Sequence, residues 1–129
     1  MKIMIVEDSV SQNYLYSHFI QKLGYYTISA INGKDAITKL ERSNLENSLP
    51  DLILLDLRMP IMNGFEFIHK VKKDHKYKDF KDIPILLCTS LEDKPKLRSI
   101  RKYITDCIFK NSVKDLRVKI TNALNNINI

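Results

Sequence analysis

Acidic, hydroxyl and basic side chains each follow a short apolar run in this sequence. Glu7 and Asp8 come after the first run, Asp56 after a later one, Thr89 after the next and Lys110 after the last. Three carboxylates that meet in space repel one another unless a cation neutralises them, and hard oxygen ligands with open positions suit Mg²⁺. A carboxylate held beside such an ion can accept a phosphoryl group, whose oxygens a hydroxyl and an ammonium group would bind. The residue types therefore indicate metal-assisted phosphoryl chemistry.

These side chains can meet only if the elements that carry them end at one edge of the fold. The chain alternates apolar β-rich runs with helical patterns, and the predicted strands are Lys2–Val6, Tyr26–Ala30, Asp51–Asp56, Ile83–Thr89 and Asp106–Phe109. Continuous apolar strands separated by amphipathic helices favour an α/β fold with a parallel sheet covered on both faces. Ligands of such sheets bind outside the carboxyl ends of the strands. The expected site is therefore the edge where these strands end.

The first predicted helix has clear signals for its ends and for its apolar face. Ser9 is a predicted N-cap, with Gln12 in the position of a capping box, and Gly24 stops the helix. Apolar side chains recur at a spacing of four residues, with Tyr16 and Ile20 beside them: Leu15, Phe19 and Leu23. This periodicity predicts the face of the helix that packs on the sheet.

Four further helical patterns alternate with the strands. Their apolar positions fall within Ala36–Leu40, Phe65–Val71, Pro95–Tyr103 and Val113–Leu124, and the pattern after Pro95 is shorter and weaker than the others. The segment Lys72–Lys81 is interpreted as a polar, charged connection.

Size and composition limit the class of protein. The chain has 129 residues, of which 44% are hydrophobic and 28% charged, which predicts one globular domain over residues 1–129. Apolar runs such as Leu52–Leu55 are too short to cross a bilayer, and the N-terminus has no signal-peptide pattern. We therefore expect a cytoplasmic protein without membrane insertion, in which Cys88 and Cys107 are reduced, buried thiols.

The net charge of +6 is unevenly distributed, because most basic residues lie in the second half of the chain. Such a surface could favour an acidic partner or nucleic acid. However, the lysines between residues 70 and 81 are not interleaved with aromatic residues in a pattern that would stack on bases. We therefore favour a solvated lysine-rich face over nucleic-acid binding.

Four motifs at the strand ends together match the pattern of a known protein family. They are Ile5–Asp8, Leu54–Gly64, Pro84–Ser90 and Asp106–Lys110. Together they resemble the receiver domains of two-component response regulators, over essentially the whole chain. The resemblance implies a flavodoxin-like, doubly wound fold with a five-stranded parallel sheet of order 2-1-3-4-5 and helices on both faces. A chemotaxis-type regulator, a phosphorelay intermediate and the receiver portion of a longer protein all fit this pattern.

The resemblance also implies a metal site for Mg²⁺, with Mn²⁺ as the alternative. Asp8 and Asp56 match the direct carboxylate ligands of the family. Glu7 matches the acid that acts through a water molecule, and the backbone carbonyl of Arg58 matches a third protein ligand. The expected metal set is therefore Glu7, Asp8, Asp56 and Arg58.

The same resemblance implies a phosphoacceptor site. Asp56 matches the aspartate that receives the phosphoryl group, Thr89 the hydroxyl that closes on it, and Lys110 the invariant lysine of the family. Gly64 lies where the family turns its loop tightly, at a point where a side chain would obstruct the backbone.

The implied function is that of a phosphoacceptor in two-component or phosphorelay signal transduction. The implied partners are a histidine kinase or histidine phosphotransfer protein as donor and an unidentified downstream protein. Such a receiver phosphorylates and dephosphorylates itself and is not a turnover enzyme. The alternative is a phosphorylation-independent pseudo-receiver that works as an adaptor. A phosphatase of the haloacid-dehalogenase type is disfavoured, because Arg58 occupies the position where that family needs a second aspartate.

Three features depart from the family pattern, all near the predicted fifth strand. Cys107 stands where the family usually has Tyr or Phe, Asn111 where proline usually follows the lysine, and Tyr103-Ile104 where Gly-Ala is usual. A cis peptide bond before a non-proline residue costs about 2.5–4 kcal/mol, so we expect a trans bond with a reshaped loop, or a strained exception. The departures predict retained acceptor chemistry with an altered output surface.

Overall fold

A single parallel sheet organises the chain. The computed structural model describes residues 1–110 and 113–125, and its five strands lie in the order β2-β1-β3-β4-β5. The strands are β1 (Lys2–Val6), β2 (Tyr26–Ala30), β3 (Leu52–Leu55), β4 (Ile85–Thr89) and β5 (Asp106–Phe109). The predicted fold class and strand order are confirmed, while β3 and β4 are shorter than their predicted ranges.

Within the described residues, four α-helices pack around these strands. They are α1 (Val10–Lys22), α2 (Gly33–Leu45), α3 (Gly64–Lys73) and α4 (Val113–Asn125). Ser9 caps α1 as predicted, because its side chain accepts a hydrogen bond from the backbone N–H of Gln12. Asn63 and Glu66 form a reciprocal capping box at α3, which fixes the entry of that helix directly after the loop that follows β3.

The sheet is covered on both faces, as predicted. Ile3, Ile5 and Leu54 pack on one face with the buried side chains of α1 and α4, and Met4, Val6 and Leu55 pack on the other with those of α2 and α3. All four residues of β3 are buried, since a central parallel strand has no solvent-exposed face. This packing holds the carboxyl ends of β1, β3 and β4 side by side.

The buried face of α1 differs from the predicted one. Leu15 is 59% exposed, whereas Asn13, Tyr16 and Ile20 are buried. Tyr16 and Ile20, which flank the predicted row, pack on the sheet, and Phe19 packs only partly. The buried row, Asn13, Tyr16 and Ile20, has spacings of three and four residues, whereas a strict repeat of four drifts around a helix of 3.6 residues per turn.

One predicted connection and one predicted helix also differ from the structure. Lys72–Lys81 contains the last residues of α3 and a 3₁₀ segment, His75–Phe80, whose Phe80 is buried in the core. The predicted helix Pro95–Tyr103 is instead two 3₁₀ segments, Leu91–Ser99 and Arg101–Tyr103. Pro95 lies inside the first of them and cannot donate the backbone hydrogen bond of an α-helix.

The described residues among the family departures are only partly buried. Tyr103, Ile104 and Cys107 are half-buried and pack against the edge of the core, so Cys107 is less buried than predicted. Cys88 is a buried free thiol, as predicted. The peptide bond between Lys110 and Asn111 and the side chain of Val113 lie outside the described residues. Among the described helices, none is long and apolar enough to cross a membrane.

The face of α1 gives a direct stability test. Replacement of the fully buried Ile20 by alanine should lower the free energy of unfolding by about 2–5 kcal/mol, because it leaves a cavity under the helix. Leu15→Ala, the matched change on the exposed face, should alter it by less than about 0.5 kcal/mol. Urea unfolding measures both, and equal losses would contradict the assignment of the two faces.

Candidate functional site

The candidate site lies at the edge of the sheet where β1, β3 and β4 end. Val6 and Leu55 are paired in adjacent strands, and the N–H of Asp56 donates to the carbonyl of Val6 at 3.0 Å. The register therefore continues one residue beyond the strands and sets Glu7 beside Asp56. Carboxylate oxygens of Glu7, Asp8 and Asp56 all lie within 4.8 Å of one another.

Lys110 supplies the positive charge that faces these acids. Its N–H donates to the carbonyl of Thr89 at 2.7 Å, which extends the β4–β5 pairing past the end of β5. The ammonium Nζ lies 3.3 Å from Asp56 Oδ1 and 3.5 Å from Glu7 Oε1. Burial alone would lower the pKa of Lys110, but the charges of Asp56 and Glu7 raise it above its ordinary value. Lys110 therefore stays protonated.

The surroundings of Glu7 disfavour the charged form of its carboxyl group. It is 2% exposed, and burial, followed by the charge of Asp56, raises the pKa of Glu7 from 4.5 to about 7. Its Oε2 accepts from the N–H of Ser9 at 3.2 Å. Among the buried side-chain oxygen and nitrogen atoms of the described residues, Glu7 Oε1 alone has no hydrogen-bond partner. The ammonium of Lys110 lies 3.5 Å from this oxygen without forming a hydrogen bond, and a buried acceptor left without a hydrogen bond is costly. A water molecule on a bound cation would satisfy it.

The three acids differ in their access to a cation. Asp8 is exposed, while Glu7 and Asp56 are buried behind it, and Asp56 Oδ1 accepts from the N–H of Leu57 at 2.9 Å. Asp8 also lines an open cavity of about 620 Å³ whose wall includes Arg58. Oxygen ligands beside an open volume fit Mg²⁺, which keeps several of its waters. The donor set therefore fits the metal that the sequence predicts.

Gly64 keeps the loop after β3 close to the acids. A Cβ at this position would lie 2.6 Å from the carbonyl oxygen of Asp56 and 2.7 Å from Cα of Leu57, closer than atoms can pack. Gly64 also donates its N–H to the carbonyl of Leu57 at 2.9 Å. The same loop holds Ile61 at a φ of 67°, a conformation that strains a β-branched residue. The predicted need for glycine at position 64 is steric.

Thr89 is fully buried at the end of β4, and its hydroxyl is already engaged. It donates to Asp93 Oδ2 at 2.9 Å. Arg58 Nε and Nη2 donate to the other oxygen of Asp93, at 3.0 and 2.8 Å. Burial would raise the pKa of Asp93, but hydrogen bonds from Arg58, Thr89 and Ser90 lower it below its ordinary value. Asp93 is therefore a charged, buried partner of Thr89.

Sequence reasoning missed two polar residues at this edge. Asp93 lies in a charged segment without apolar periodicity, so no pattern marks it. Asn13, 7% exposed, donates from Nδ2 to the carbonyls of Glu7 and Ala30, at 3.0 and 3.2 Å. Because it ties the ends of β1 and β2 to α1, Asn13 fixes the backbone that carries Glu7. A polar residue within the apolar pattern of α1 was the available signal for Asn13.

Comparisons with known proteins identify the class of domain that carries this site. Residues 3–121 match the family model described as the response regulator receiver domain, so the chain belongs to the response-regulator receiver family, a class of two-component signalling domains.

Particular relatives agree with this assignment. The chain is 35% identical over 122 residues to the luminescence regulatory protein LuxO of Vibrio campbellii, which covers 93% of this chain and 25% of that protein. The signal receiver domain of a signal transduction histidine kinase from Syntrophus aciditrophicus is 30% identical, with a TM-score of 0.81 over 98% of this chain and 91% of that one. For the chemotaxis protein CheY4 of Vibrio cholerae the identity is 30% and the TM-score 0.72, over 95% and 98%. The chain spans about a quarter of the length of the LuxO relatives that it matches.

The raised pKa of Glu7 predicts a pH dependence of stability in the metal-free protein. Between pH 4.5 and about 7 the folded chain holds a proton on Glu7 that the unfolded chain has released. This difference makes the free energy of unfolding fall as pH rises through that range, by up to about 3 kcal/mol.

Glu7→Gln should remove this part of the pH dependence, because the amide does not titrate. Urea unfolding at several pH values measures the difference between wild type and variant. Glu41→Gln, which changes an exposed carboxylate on α2, is the matched control and should leave the wild-type curve in place. Parallel curves for wild type and Glu7→Gln would contradict the charge assignment of the site.

Proposed function

We propose that this chain takes a phosphoryl group onto Asp56 from a histidine kinase or histidine phosphotransfer protein. The observation that carries the proposal is the pairing of Asp56 with Lys110 inside the cluster of three acids, at 3.3 Å. A buried carboxylate that faces one ammonium group and two further acids is suited to a reaction in which negative charge arrives with a divalent cation.

In the proposed site Glu7, Asp8, Asp56 and the backbone carbonyl of Arg58 hold Mg²⁺, or Mn²⁺ in its place. The bound ion supplies charge neutralisation for the incoming phosphoryl oxygens. Asp56 Oδ provides the attacking oxygen, and the phosphorus–nitrogen bond to the histidine of the donor breaks as the new phosphorus–oxygen bond forms. Lys110, which already contacts Asp56, binds a phosphoryl oxygen, and the hydroxyl of Thr89 binds another after it leaves Asp93. Asn13 and Gly64 keep the backbone of the two acid-bearing loops in place.

We further propose that residues 1–129 act as one cytoplasmic receiver domain whose signal passes by protein–protein contact. Phosphorylation is self-catalysed and is reversed by hydrolysis, so the domain is a phosphoacceptor and not a turnover enzyme. The half-buried Cys107 in place of an aromatic residue supports an output surface that differs from that of relatives with Tyr or Phe there.

The acceptor role predicts a defined change in mass. Incubation with acetyl phosphate and Mg²⁺ should add one phosphoryl group to the wild-type chain, and intact mass spectrometry detects it. Omission of Mg²⁺ should suppress the gain, since three acids would then repel the anionic donor, offset at Asp56 and Glu7 by the single positive charge of Lys110.

Two variants test whether Asp56 itself is the acceptor. Asp56→Asn should remove the gain in mass, whereas Asp51→Asn, a matched change next to the opposite end of β3, should retain it. A gain that persists in Asp56→Asn would assign a different acceptor. Failure of the wild-type chain to gain mass would favour the phosphorylation-independent adaptor.

A further inference from the structure

The hydroxyl of Thr89 has a defined partner other than the proposed acceptor. It donates to Asp93 Oδ2 at 2.9 Å. A hydroxyl group has one proton and can make one strong donor bond at a time. As long as this bond persists, the hydroxyl cannot donate to an oxygen bound at Asp56.

Asp93 is held in place from several directions. It is 2% exposed, its N–H donates to the carbonyl of Ser90 at 3.1 Å, and the hydroxyl of Ser90 donates to Oδ2 at 3.2 Å. Arg58 donates twice to Oδ1 through Nε and Nη2. Two guanidinium donors that converge on one carboxylate oxygen hold it more firmly than a single ammonium contact would.

The two side chains that Asp93 binds, those of Arg58 and Thr89, belong to the two elements that the proposed reaction uses. Arg58 lies two residues after Asp56, in the loop after β3, and Thr89 is the last residue of β4. Asp93 thus joins the acceptor loop to the hydroxyl expected to close on the phosphoryl group.

We propose that Asp93 is a positioning residue which, held by Arg58, keeps the Thr89 hydroxyl away from Asp56 until a phosphoryl group competes for it. This inference rests on the proposed function. Because the bond stabilises the unphosphorylated arrangement, part of the binding free energy of the phosphoryl group is spent on breaking it. Loss of Asp93 should therefore favour the phosphorylated arrangement.

Affinity for beryllofluoride, a non-transferable mimic of a phosphoryl group on a carboxylate, tests the proposal in the full chain with Mg²⁺. Asp93→Ala should tighten binding about tenfold more in a chain that has Thr89 than in Thr89→Ala, as expected for loss of a charge-assisted hydrogen bond. Asp93→Asn, which retains an acceptor without the charge, should give an intermediate value. Fluorine NMR of the bound mimic measures each affinity.

The double variant separates a bond to Thr89 from a general effect of charge. Removal of a negative charge near the site favours an anion whether or not Thr89 is present, so only the difference between the two backgrounds reports the bond. Asp106→Ala makes the same change in net charge at the start of β5. It should change the affinity for beryllofluoride by the same factor in the two backgrounds. Equal effects of Asp93→Ala in both backgrounds would overturn the inference.

A second measurement needs neither metal nor mimic. Three-bond NMR couplings of Thr89 should report one side-chain rotamer in the metal-free wild type and averaged rotamers in Asp93→Ala, and averaging already present in the wild type would overturn the inference. If the wild-type chain binds no beryllofluoride while Thr89 keeps one rotamer, the proposed function is wrong. The proposed competition between Asp93 and a phosphoryl group for the Thr89 hydroxyl is then wrong too. If the wild-type chain binds beryllofluoride tightly, but Asp93→Ala has the same effect with and without Thr89, only the inference about Asp93 is wrong and the proposed function stands.

Discussion

The site depends on the repulsion between Glu7 and Asp56, which adjacent parallel strands hold beside each other in a buried position. Neither carboxylate can move away, because the register of β1 and β3 fixes both backbones and the core packs beneath them. Lys110 offsets part of this repulsion from the end of β5. The repulsion that is not offset contributes to the raised pKa of Glu7, whose Oε1 also makes no hydrogen bond. A divalent cation would relieve both, and its charge would also assist the proposed phosphoryl transfer to Asp56.

The surrounding fold is built to hold that unfavourable arrangement. Strand β3 is buried on both faces, the capping box at Asn63 starts α3 immediately after the loop, and Gly64 allows its backbone to touch that of Asp56. Functional sites commonly carry such local costs, which the stability of the core offsets. The Arg58–Asp93 pair adds a second constraint, since it connects the loop after β3 to Thr89.

The sequence was sufficient to predict the strands and the acids that follow them, because buried parallel strands are continuous apolar runs and their carboxyl ends must share an edge. The face of α1 could not be read from the spacing of Leu15, Phe19 and Leu23, since a strict repeat of four drifts around the helix and the buried row is Asn13, Tyr16 and Ile20. Asp93 could not be predicted either. Its role depends on hydrogen bonds from Arg58, which is far from it in sequence.

The affinity of the metal-free chain for Mg²⁺ as a function of pH, measured by calorimetry, tests the charge balance of the site most directly. If Glu7 shares the proposed metal site and holds a proton up to about pH 7, binding of Mg²⁺ must displace that proton. We therefore expect an affinity that rises with pH up to about 7 and then levels off, with release of protons in the lower range. Failure to bind Mg²⁺, or an affinity independent of pH with no proton released, would contradict the proposed site.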